Sequence, residues 1–342
     1  MSLLDDLGSK LPIVAAPMAG GPSTPALVIA AAAAGSVGFL GAGYKTADAL
    51  AEQIASVGAA GVPFGVNLFA PNPAPVDPAE FRSYAERLQP EGDRYNVDLA
   101  RQTPAEDDDH WDEKIALLVG DPVPVVSFTF GIPPAADRKA LRRQGMLLVQ
   151  TVTSATEARA ATEAGVDALA VQASAAGGHS GTFTPHQIPP AAPLADLVAQ
   201  VAAVTSLPLL AAGGLATSAD ISAVLHAGAI AAAVGTVLLA CPESGASAPY
   251  KRALVAPGER HTLVTRAFSG RPARGLRNDF TDRYDAFAPQ GYPAINTLTT
   301  PLRRAAAAAD DAEMINLWAG TGFRHVQAAP AATILAALAS GL

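Results

Sequence analysis

Cysteine, charge and aromatic residues are all scarce in this sequence. Its one cysteine, Cys241, excludes a disulfide within the chain, so a reducing compartment, the cytoplasm, is the expected location. Charged residues make up 16% of the chain and the net charge is −8, so neither nucleic acid nor an anionic membrane surface is an expected partner. Glycine and proline interrupt the alanine-rich runs, so no transmembrane helix is expected, and residues 1–10 lack the apolar core of a secretion signal.

Metal-binding signatures are missing as well. The sequence has no HExxH, no CxxC and no closely spaced pair of histidines, and DDDH at 107–110 is typical of a solvated insertion. No metal is therefore expected. The sequence predicts a soluble protein whose partner is a small molecule, and it does not predict an oligomeric state.

Short apolar segments alternate with alanine-rich helical segments along most of the chain. Strands that are apolar on both faces, each followed by a helix, predict a parallel sheet covered by helices. Eight such units predict an α/β protein with a TIM (β/α)8 barrel rather than an open sheet. The apolar segments are IVAAPM (13–18), VGFLGAG (37–43), FGVNLF (64–69), VVSFTF (125–130), MLLVQTV (146–152), ALAVQA (168–173), PLLAAGG (208–214) and AAAVGTVLL (231–239).

Two segments interrupt this alternation. Residues 71–117 contain the acidic run EDDDHWDE (106–113), and residues 246–310 are rich in glycine, proline and arginine. Both are expected to form a smaller substrate-binding cap over the mouth of the barrel, which is then built from residues 1–70, 118–245 and 311–342. Within the barrel, Ser154 and Glu157 have the spacing of a capping box that begins a helix.

Glycine pairs follow the last two predicted strands. In TIM barrels, the loops after strands seven and eight commonly bind phosphate through backbone N–H groups. Gly213-Gly214 and Gly235-Thr236 lie at these positions and predict a phosphate site. The alternative is that these glycines only permit tight turns.

The ends of other strands offer room for a flat ring and amides to bind it. Pro17, Met18 and Ala19 end the first strand with small or flexible side chains, and Asn67 and Gln172 supply amide donors and acceptors. This combination favours a flavin. The alternatives are core packing for Met18 and hydrogen bonds to neighbouring loops for the two amides.

One histidine stands in a glycine-rich turn, in the stretch VQASAAGGHSGTF (171–183). His179 lies between Gly178 and Ser180, where its ring could exchange a proton with a molecule bound at the barrel mouth. The alternative is a loop histidine that hydrogen-bonds phosphate or backbone. His186 is a weaker candidate because its surroundings are less constrained.

Several motifs together resemble the class I nitronate monooxygenases, formerly called 2-nitropropane dioxygenases. The motifs occur in matching order over most of the chain, and the GGH loop combined with the first motif and the NLF strand is specific. They are PMAGGPSTPAL (17–27), FGVNLF (64–69), VVSFTFG (125–131), VQASAAGGHSGTF (171–183), the two glycine turns, FSGRPARGL (268–276) and LWAG (317–320).

The resemblance implies that the barrel holds FMN non-covalently and that His179 is catalytic. It implies oxidation of alkyl nitronates such as propionate 3-nitronate, with nitroalkanes as possible further substrates, by O2 to carbonyl compounds and nitrite, a detoxification. Ser180 departs from the family, in which arginine is common, so no contact of that arginine is carried over. The expected FMN-binding residues, including two taken from the strand ends alone, are Pro17, Met18, Ala19, Asn67, Ser127, Gln172, Gly177, Gly178, Gly213, Gly214, Gly235 and Thr236.

The cap contributes candidate substrate residues. Tyr250 and Tyr292 are expected as aromatic walls of the substrate cavity. One of four clustered arginines could bind a carboxylate of the substrate, while the others are solvated or paired with acids such as Glu259. The four are Arg266, Arg271, Arg274 and Arg277.

Other functions remain open on the sequence alone. The main alternative is an NAD(P)H-dependent FMN reductase of the enoyl-ACP reductase or quinone reductase type, which needs no GxGxxG motif. A flavin-free lyase or isomerase is disfavoured because only Lys45 lies near the end of a strand, where a Schiff-base lysine would be needed. A catalytically silent flavin-binding protein is the third alternative.

Overall fold

The computed structural model describes residues 8–105, 107–256, 258 and 260–342. The first seven residues, which carry most of the segment assessed as a secretion signal, lie outside the described residues. So do Glu106 of the acidic run and Glu259, which was considered as an arginine partner.

Eight parallel strands close into a barrel, which confirms the predicted TIM (β/α)8 fold. The strands pair in chain order and the last pairs with the first, with Ile13 opposite Ala232. They are β1 (Ile13–Ala15), β2 (Val37–Gly41), β3 (Phe64–Phe69), β4 (Val125–Thr129), β5 (Leu147–Val152), β6 (Ala168–Gln172), β8 (Leu209–Ala212) and β9 (Ala231–Val234).

A second, smaller sheet crosses the mouth of this barrel. It consists of β7 (Gly178–His179), β10 (Thr262–Thr265) and β11 (Ala273–Leu276), in the order β10-β11-β7 with antiparallel pairing. The glycine-rich turn of the sequence is therefore partly a strand. Its partner β11 lies about a hundred residues further along the chain, so local sequence patterns do not predict the pairing.

The helices begin and end where the sequence supplies caps. Thr24 and Thr46 accept hydrogen bonds from the first turns of their helices, and Gly35 follows its helix with φ +85°. None of the described helices is both long enough and apolar enough to cross a lipid bilayer. The helices are α1 (Pro25–Ala33), α2 (Ala47–Gly58), α3 (Pro78–Arg94), α4 (Trp111–Gly120), α5 (Ala135–Arg143), α6 (Ala155–Glu163), α7 (Leu194–Ala202), α8 (Ser218–His226), α9 (Ala248–Val255), α10 (Asp279–Tyr284), α11 (Ala294–Ala308) and α12 (Ala331–Ala339).

The apolar side chains form separate clusters in the barrel and above it. One cluster lies between the barrel strands and their helices, and a smaller one contains Val14, Phe39 and Val149. A third cluster joins Phe81 of α3 to Leu298 of α11 and to segments between them. The two predicted cap segments thus share one apolar cluster.

The proposed boundaries of the cap can be compared with this packing. Helix α4 packs with the barrel through Trp111 and Ile115, so the proposed boundary between residues 117 and 118 lies inside a helix. Leu317 and Phe323, from the segment assigned to the barrel, belong to the cap cluster. Helix α12 packs on the barrel cluster.

Candidate active site

A cavity of about 760 Å³ lies between the carboxyl ends of the barrel strands and helices α9 and α11. Cofactor and substrate sites commonly have volumes of about 300 to 1,000 Å³. The cavity is the place where the strand-end residues come together. The predicted site residues on its walls are Pro17, Met18, Ala19, Asn67, Ser127, Gln172, Gly177, Gly178, His179, Gly213, Gly214, Gly235, Thr236 and Tyr250.

One end of the cavity is lined by glycine backbone. Gly213 and Gly214 have φ values of +121° and +76°, a region that favours glycine. A Cβ atom on Gly214 would also lie 2.9 Å from Thr321 Oγ1. The local turn therefore accounts for these two glycines, whether or not a phosphate lies against them.

Gly235 behaves differently from this pair. Its φ is −122°, and an added Cβ atom would meet nothing closer than Met18 Sδ at 3.4 Å, an ordinary contact. The next residue, Thr236, accepts a hydrogen bond from Gly320 N at 3.0 Å and keeps its hydroxyl proton to donate. The fold alone does not require glycine at position 235, so this position is the better probe of a bound phosphate.

Asn67 presents a single free atom to the cavity. Its Nδ2 donates to Ser127 Oγ at 2.9 Å and to Thr129 Oγ1 at 3.1 Å. These bonds hold the amide in place and use only its NH2 group. Oδ1 is left as an acceptor for a bound molecule.

Gln172 holds the loop that carries His179. Its Oε1 accepts from Gly181 N at 2.7 Å, and its Nε2 donates to the His179 carbonyl at 3.3 Å. Together with the pairing of His179 opposite Ala273, these bonds fix the backbone on both sides of the histidine. The hydrogen bonds of Gln172 therefore match the neighbouring-loop alternative, although its side chain also lines the cavity.

The His179 ring has a defined hydrogen-bond partner. Nε2 lies 2.8 Å from Ser269 Oγ, and Ser269 Oγ lies 3.2 Å from the Arg271 carbonyl, to which it donates. In that arrangement Nε2 carries the proton and Nδ1 carries the lone pair. The ring is thus oriented with one nitrogen available as an acceptor.

The surroundings of His179 keep its ring neutral. Burial lowers the pKa of His179 to about 3, with further lowering by the positive charges of Arg271 and Arg303. The imidazole is therefore uncharged at neutral pH and is a weak proton acceptor. Because Arg271 and Arg303 are both cations, the electrostatic field around the His179 ring favours an anion.

Aromatic rings surround His179. The centroids of Phe130, Tyr292 and Trp318 lie 5.9, 5.6 and 5.5 Å from that of the imidazole. The Arg271 guanidinium carbon lies 3.9 Å from the Phe130 centroid, and this side chain is fully buried. Arg271 packs on the Phe130 ring, and its positive charge lowers the pKa of His179.

The two predicted substrate tyrosines are placed differently. Tyr250 lines the cavity and donates its hydroxyl proton to the Trp318 carbonyl. Tyr292 is not one of the described cavity-lining residues. It packs on His179 and donates to the Tyr44 hydroxyl at 3.3 Å.

None of the four clustered arginines lines the main cavity among the described residues. Arg266 donates to the His186 carbonyl, Arg274 donates to a loop carbonyl, and Arg277 forms an exposed ion pair with Asp282. The arginines that line the cavity are Arg303 and Arg304 of α11. The expectation that one of the four binds a substrate carboxylate therefore has no support in the geometry.

Sequence reasoning missed several side chains of the site, among them Phe130, Trp318 and Arg303, and it assigned the DDDH segment to a solvated insertion although Asp107 and Asp109 line the cavity. Phe130 directly follows a strand, and Trp318 lies in the LWAG motif, so both positions carried a usable signal. Arg303 carried none, because it lies in a helix of the cap and only the fold brings that helix to the barrel mouth.

Comparison with known proteins places this site in a family. The family model described as nitronate monooxygenase matches residues 2–341. A probable nitronate monooxygenase of Staphylococcus saprophyticus is 36% identical over 94% of this chain and 91% of its own length. One of Bacillus subtilis is 35% identical over 92% of this chain and 91% of its own length.

Solved structures give the same result for the fold. The nitroalkane oxidase of Streptomyces ansochromogenes superposes with a TM-score of 0.92 at 45% identity, covering 99% of this chain and 97% of that one. FabK of Thermotoga maritima superposes with a TM-score of 0.76 at 26% identity, covering 98% and 94%. From the match of the whole chain and the identity to these relatives, the protein belongs to the nitronate monooxygenase family of oxidoreductases.

Proposed function

We propose that this protein is an FMN-dependent monooxygenase that oxidises alkyl nitronates, such as propionate 3-nitronate, with O2 to carbonyl compounds and nitrite. The observation that carries the proposal is the position of His179 on the cavity wall, where Ser269 orients its ring and the positive charges of Arg271 and Arg303 lower its pKa. A nitronate is an anion that has already lost its α-proton. Such a substrate gains from the positive field and needs no strong base.

The residues of the cavity fit FMN. The end of the cavity formed by Gly213, Gly214, Gly235 and Thr236 is uncharged and offers backbone N–H groups and a hydroxyl to a phosphate. Gly213 and Gly214 have positive φ values that favour glycine, whereas Gly235 has a φ that any residue can adopt. When bound, the flavin would supply the redox chemistry between the substrate and O2.

The protein's own residues then bind, orient and shield the substrate. Asn67 Oδ1 is available as an acceptor for the flavin ring, and the rings of Phe130 and Trp318 keep water away from one side of His179. His179 keeps a lone pair on Nδ1, which can hold a proton during the reaction. Its low pKa returns that proton readily.

Neutral nitroalkanes are a second candidate substrate class. The likeness to the nitroalkane oxidase of Streptomyces ansochromogenes, at 45% identity, favours it. Here His179 would have to remove the α-proton, and its low pKa makes this the slower of the two reactions.

An NAD(P)H-dependent FMN reductase is the alternative from another class of flavin enzyme. The likeness to FabK keeps it open, because the two chains share the barrel over most of their length. For the proposed oxidase, the partners are a small nitronate and O2 rather than nucleic acid or membrane, and the cytoplasm is the proposed compartment.

Stopped-flow spectroscopy separates these functions. The flavin-loaded protein is mixed without O2 with propionate 3-nitronate, nitroethane, NADH or NADPH, and the flavin absorbance is followed. We expect fast reduction by the nitronate, slower reduction by nitroethane, and little or none by either nucleotide. Faster reduction by a nucleotide would replace the proposal with the reductase.

A further inference from the structure

The loop that carries His179 is tied to a distant segment by one buried side chain. Arg271, which follows Ser180 by 91 residues in the chain, is fully buried. Its Nε donates to the Ser180 carbonyl at 3.3 Å, and its Nη2 donates to the Thr182 carbonyl. One rigid guanidinium therefore holds the backbone directly after His179 at two points.

The main chain of Arg271 fixes the hydrogen-bond partner of the His179 ring. Ser269 Oγ donates its only proton to the Arg271 carbonyl at 3.2 Å and accepts from Arg271 N at 3.4 Å. Because that proton is already used, the 2.8 Å contact between Ser269 Oγ and His179 Nε2 requires its proton to lie on the ring. Arg271 thus holds the histidine from both sides, with its side chain on the loop and its main chain on Ser269.

The charge of Arg271 has no anion in direct contact. Arg271 is in none of the ion pairs found in the described part of the chain. Thr182 lies between this guanidinium and the buried Glu157 carboxylate, because its carbonyl accepts from Arg271 and its hydroxyl donates to Glu157 Oε1 at 2.7 Å. Burial lowers the pKa of Arg271 to about 10, so it stays charged at neutral pH. Its charge therefore acts on His179 together with that of Arg303.

The environment of Arg271 is not the one that stability alone would favour. The guanidinium lies on the Phe130 ring, and its Nη1 is buried without a hydrogen-bond partner among the described residues. A buried donor without a partner is costly, and a well-packed apolar side chain is often at least as stabilising as a buried charge. This arrangement indicates a role beyond the stability of the fold.

We propose that Arg271 is a positioning residue for the reaction: it ties the loop after His179 to Ser269, so that the ring is held as the Nε2–H tautomer with its lone pair on Nδ1. A ring that exchanges tautomers would present the wrong nitrogen to the substrate in part of the molecules. The inference rests on the proposed function, because a proton acceptor of fixed position matters for a substrate that still carries its α-proton.

Nitrogen NMR of the flavin-loaded protein tests the tautomer without turnover. In isotopically labelled histidine, the shifts of the two ring nitrogens show which one carries the proton, and His179→Asn identifies the His179 signals. We expect Nε2–H alone in the wild type at neutral pH. In Ser269→Ala and in Arg271→Lys we expect a mixture of both tautomers, because the ring then lacks the fixed partner that selects one.

Steady-state kinetics separate the position of the ring from the charge beside it. Arg271→Lys keeps the charge, but a single ammonium does not replace the two bonds of the guanidinium. We expect kcat for nitroethane to fall about tenfold, since a small misplacement of a reacting group is costly, and KM for ethyl nitronate to stay within about twofold. In Arg271→Met, kcat should fall equally and KM for ethyl nitronate should rise about tenfold, because the field that attracts the anion is weaker.

Two further variants complete the comparison. Ser269→Ala removes a hydroxyl and no charge, so its kinetic constants should match those of Arg271→Lys. Arg277→Met removes an exposed charge that is paired with Asp282, and its kinetic constants should equal those of the wild type.

Several results would overturn the inference. A wild-type ring protonated on Nδ1, or an unchanged tautomer and kcat in Ser269→Ala, would show that Ser269 does not select the tautomer. Wild-type kcat in Arg271→Lys would leave only the charge of Arg271, and an Arg271→Lys protein that does not fold would make this arginine a residue of the fold itself. Loss of FMN would assign Arg271 to the cofactor. If the unmodified enzyme oxidises neither substrate, the proposed function fails, and the tautomer measurement still decides what Arg271 and Ser269 do to the ring.

Discussion

The two walls of the cavity differ in charge and in origin. The barrel wall comes from strand ends and the loops after them, and apart from Lys45 it is uncharged, with glycine backbone, small side chains and the amides of Asn67 and Gln172. The cap side carries charges of both signs, from Asp107, Asp109, Arg303 and Arg304. His179, held by its pairing with β11, lies among aromatic rings. An uncharged wall suits a flat cofactor held mainly by backbone. A charged wall discriminates between substrates, because a charge left unpaired is more costly than an unfilled apolar contact.

The different origins of the two walls also explain why the residues of the barrel wall can be predicted from the sequence more easily than those of the cap side. The strand-end residues follow their strands directly, so their position in the chain predicts their position in space. Residues on the cap side, including His179 and Trp318 from outside the two insertions, reach the site through pairing and packing with distant segments. The experiments below test whether the division into a cofactor wall and a substrate wall is real.

The largest expected effect is at His179. In His179→Asn, activity on neutral nitroethane should fall about a hundredfold, the lower end of the usual contribution of a general base, because the low pKa of His179 makes it a weak base. Activity on ethyl nitronate should fall much less, because that substrate has already lost its proton. Both substrates are assayed by steady-state kinetics on one flavin-loaded preparation.

The test depends on the difference between the activity lost on nitroethane and the activity lost on ethyl nitronate. Equal losses on both would make His179 a residue that positions or stabilises the anion. Loss of FMN would assign His179 to the cofactor wall and break the division between the walls.

A smaller effect is expected at the glycines of the cofactor wall. Gly235→Ala should bind FMN about tenfold more weakly, because the Cβ atom would crowd a bound phosphate and lengthen a hydrogen bond to a charged group. The apoprotein should unfold at the wild-type temperature, since the φ of this residue is −122° and the Cβ has room. FMN affinity is measured by fluorescence titration of the apoprotein.

Gly214→Ala is the matched comparison. Its φ of +76° and the nearby Thr321 hydroxyl predict a loss of apoprotein stability as well as of FMN affinity. Wild-type FMN affinity in Gly235→Ala would show that no bound phosphate lies against Gly235 and would leave Gly213 and Gly214 as turn residues.

The smallest expected effect is on stability as a function of pH. The pKa of His179 is lowered to about 3 in the folded protein, below the ordinary value of 6.5. The unfolded chain therefore takes up a proton as the pH falls below 6.5, while the folded chain does not, so this residue destabilises the fold increasingly between pH 6.5 and pH 3. Urea unfolding at pH 7.5 and pH 5 should show a larger loss of stability in the wild type than in His179→Asn. Parallel losses would mean that the ring is not buried as described.

Helix α6 shows where a local pattern stops being sufficient. Ser154 and Glu157 have capping-box spacing, and Ser154 Oγ does accept from Glu157 N at 3.2 Å. The Glu157 carboxylate does not return to Ser154, however. It accepts from Thr153 N and from Phe183 N, which ties the helix to the loop after His179. The start of the helix was predictable from neighbouring residues, and the use of the carboxylate was not, because its second partner is distant in the chain.

The sequence by itself determined the barrel, the order of its strands and many of the strand-end residues that line the barrel side of the cavity, since each depends on residues that are close in the chain. The periodic apolar segments predict strands, and the residues just after them must gather at one edge of a parallel barrel. Only the tertiary structure decided the substrate wall. It paired His179 with Ala273, left Tyr292 packed on the histidine rather than on the cavity, and brought Arg303 to the site in place of the four clustered arginines. These placements depend on contacts between segments about a hundred residues apart, whose geometry follows from packing and not from any local pattern.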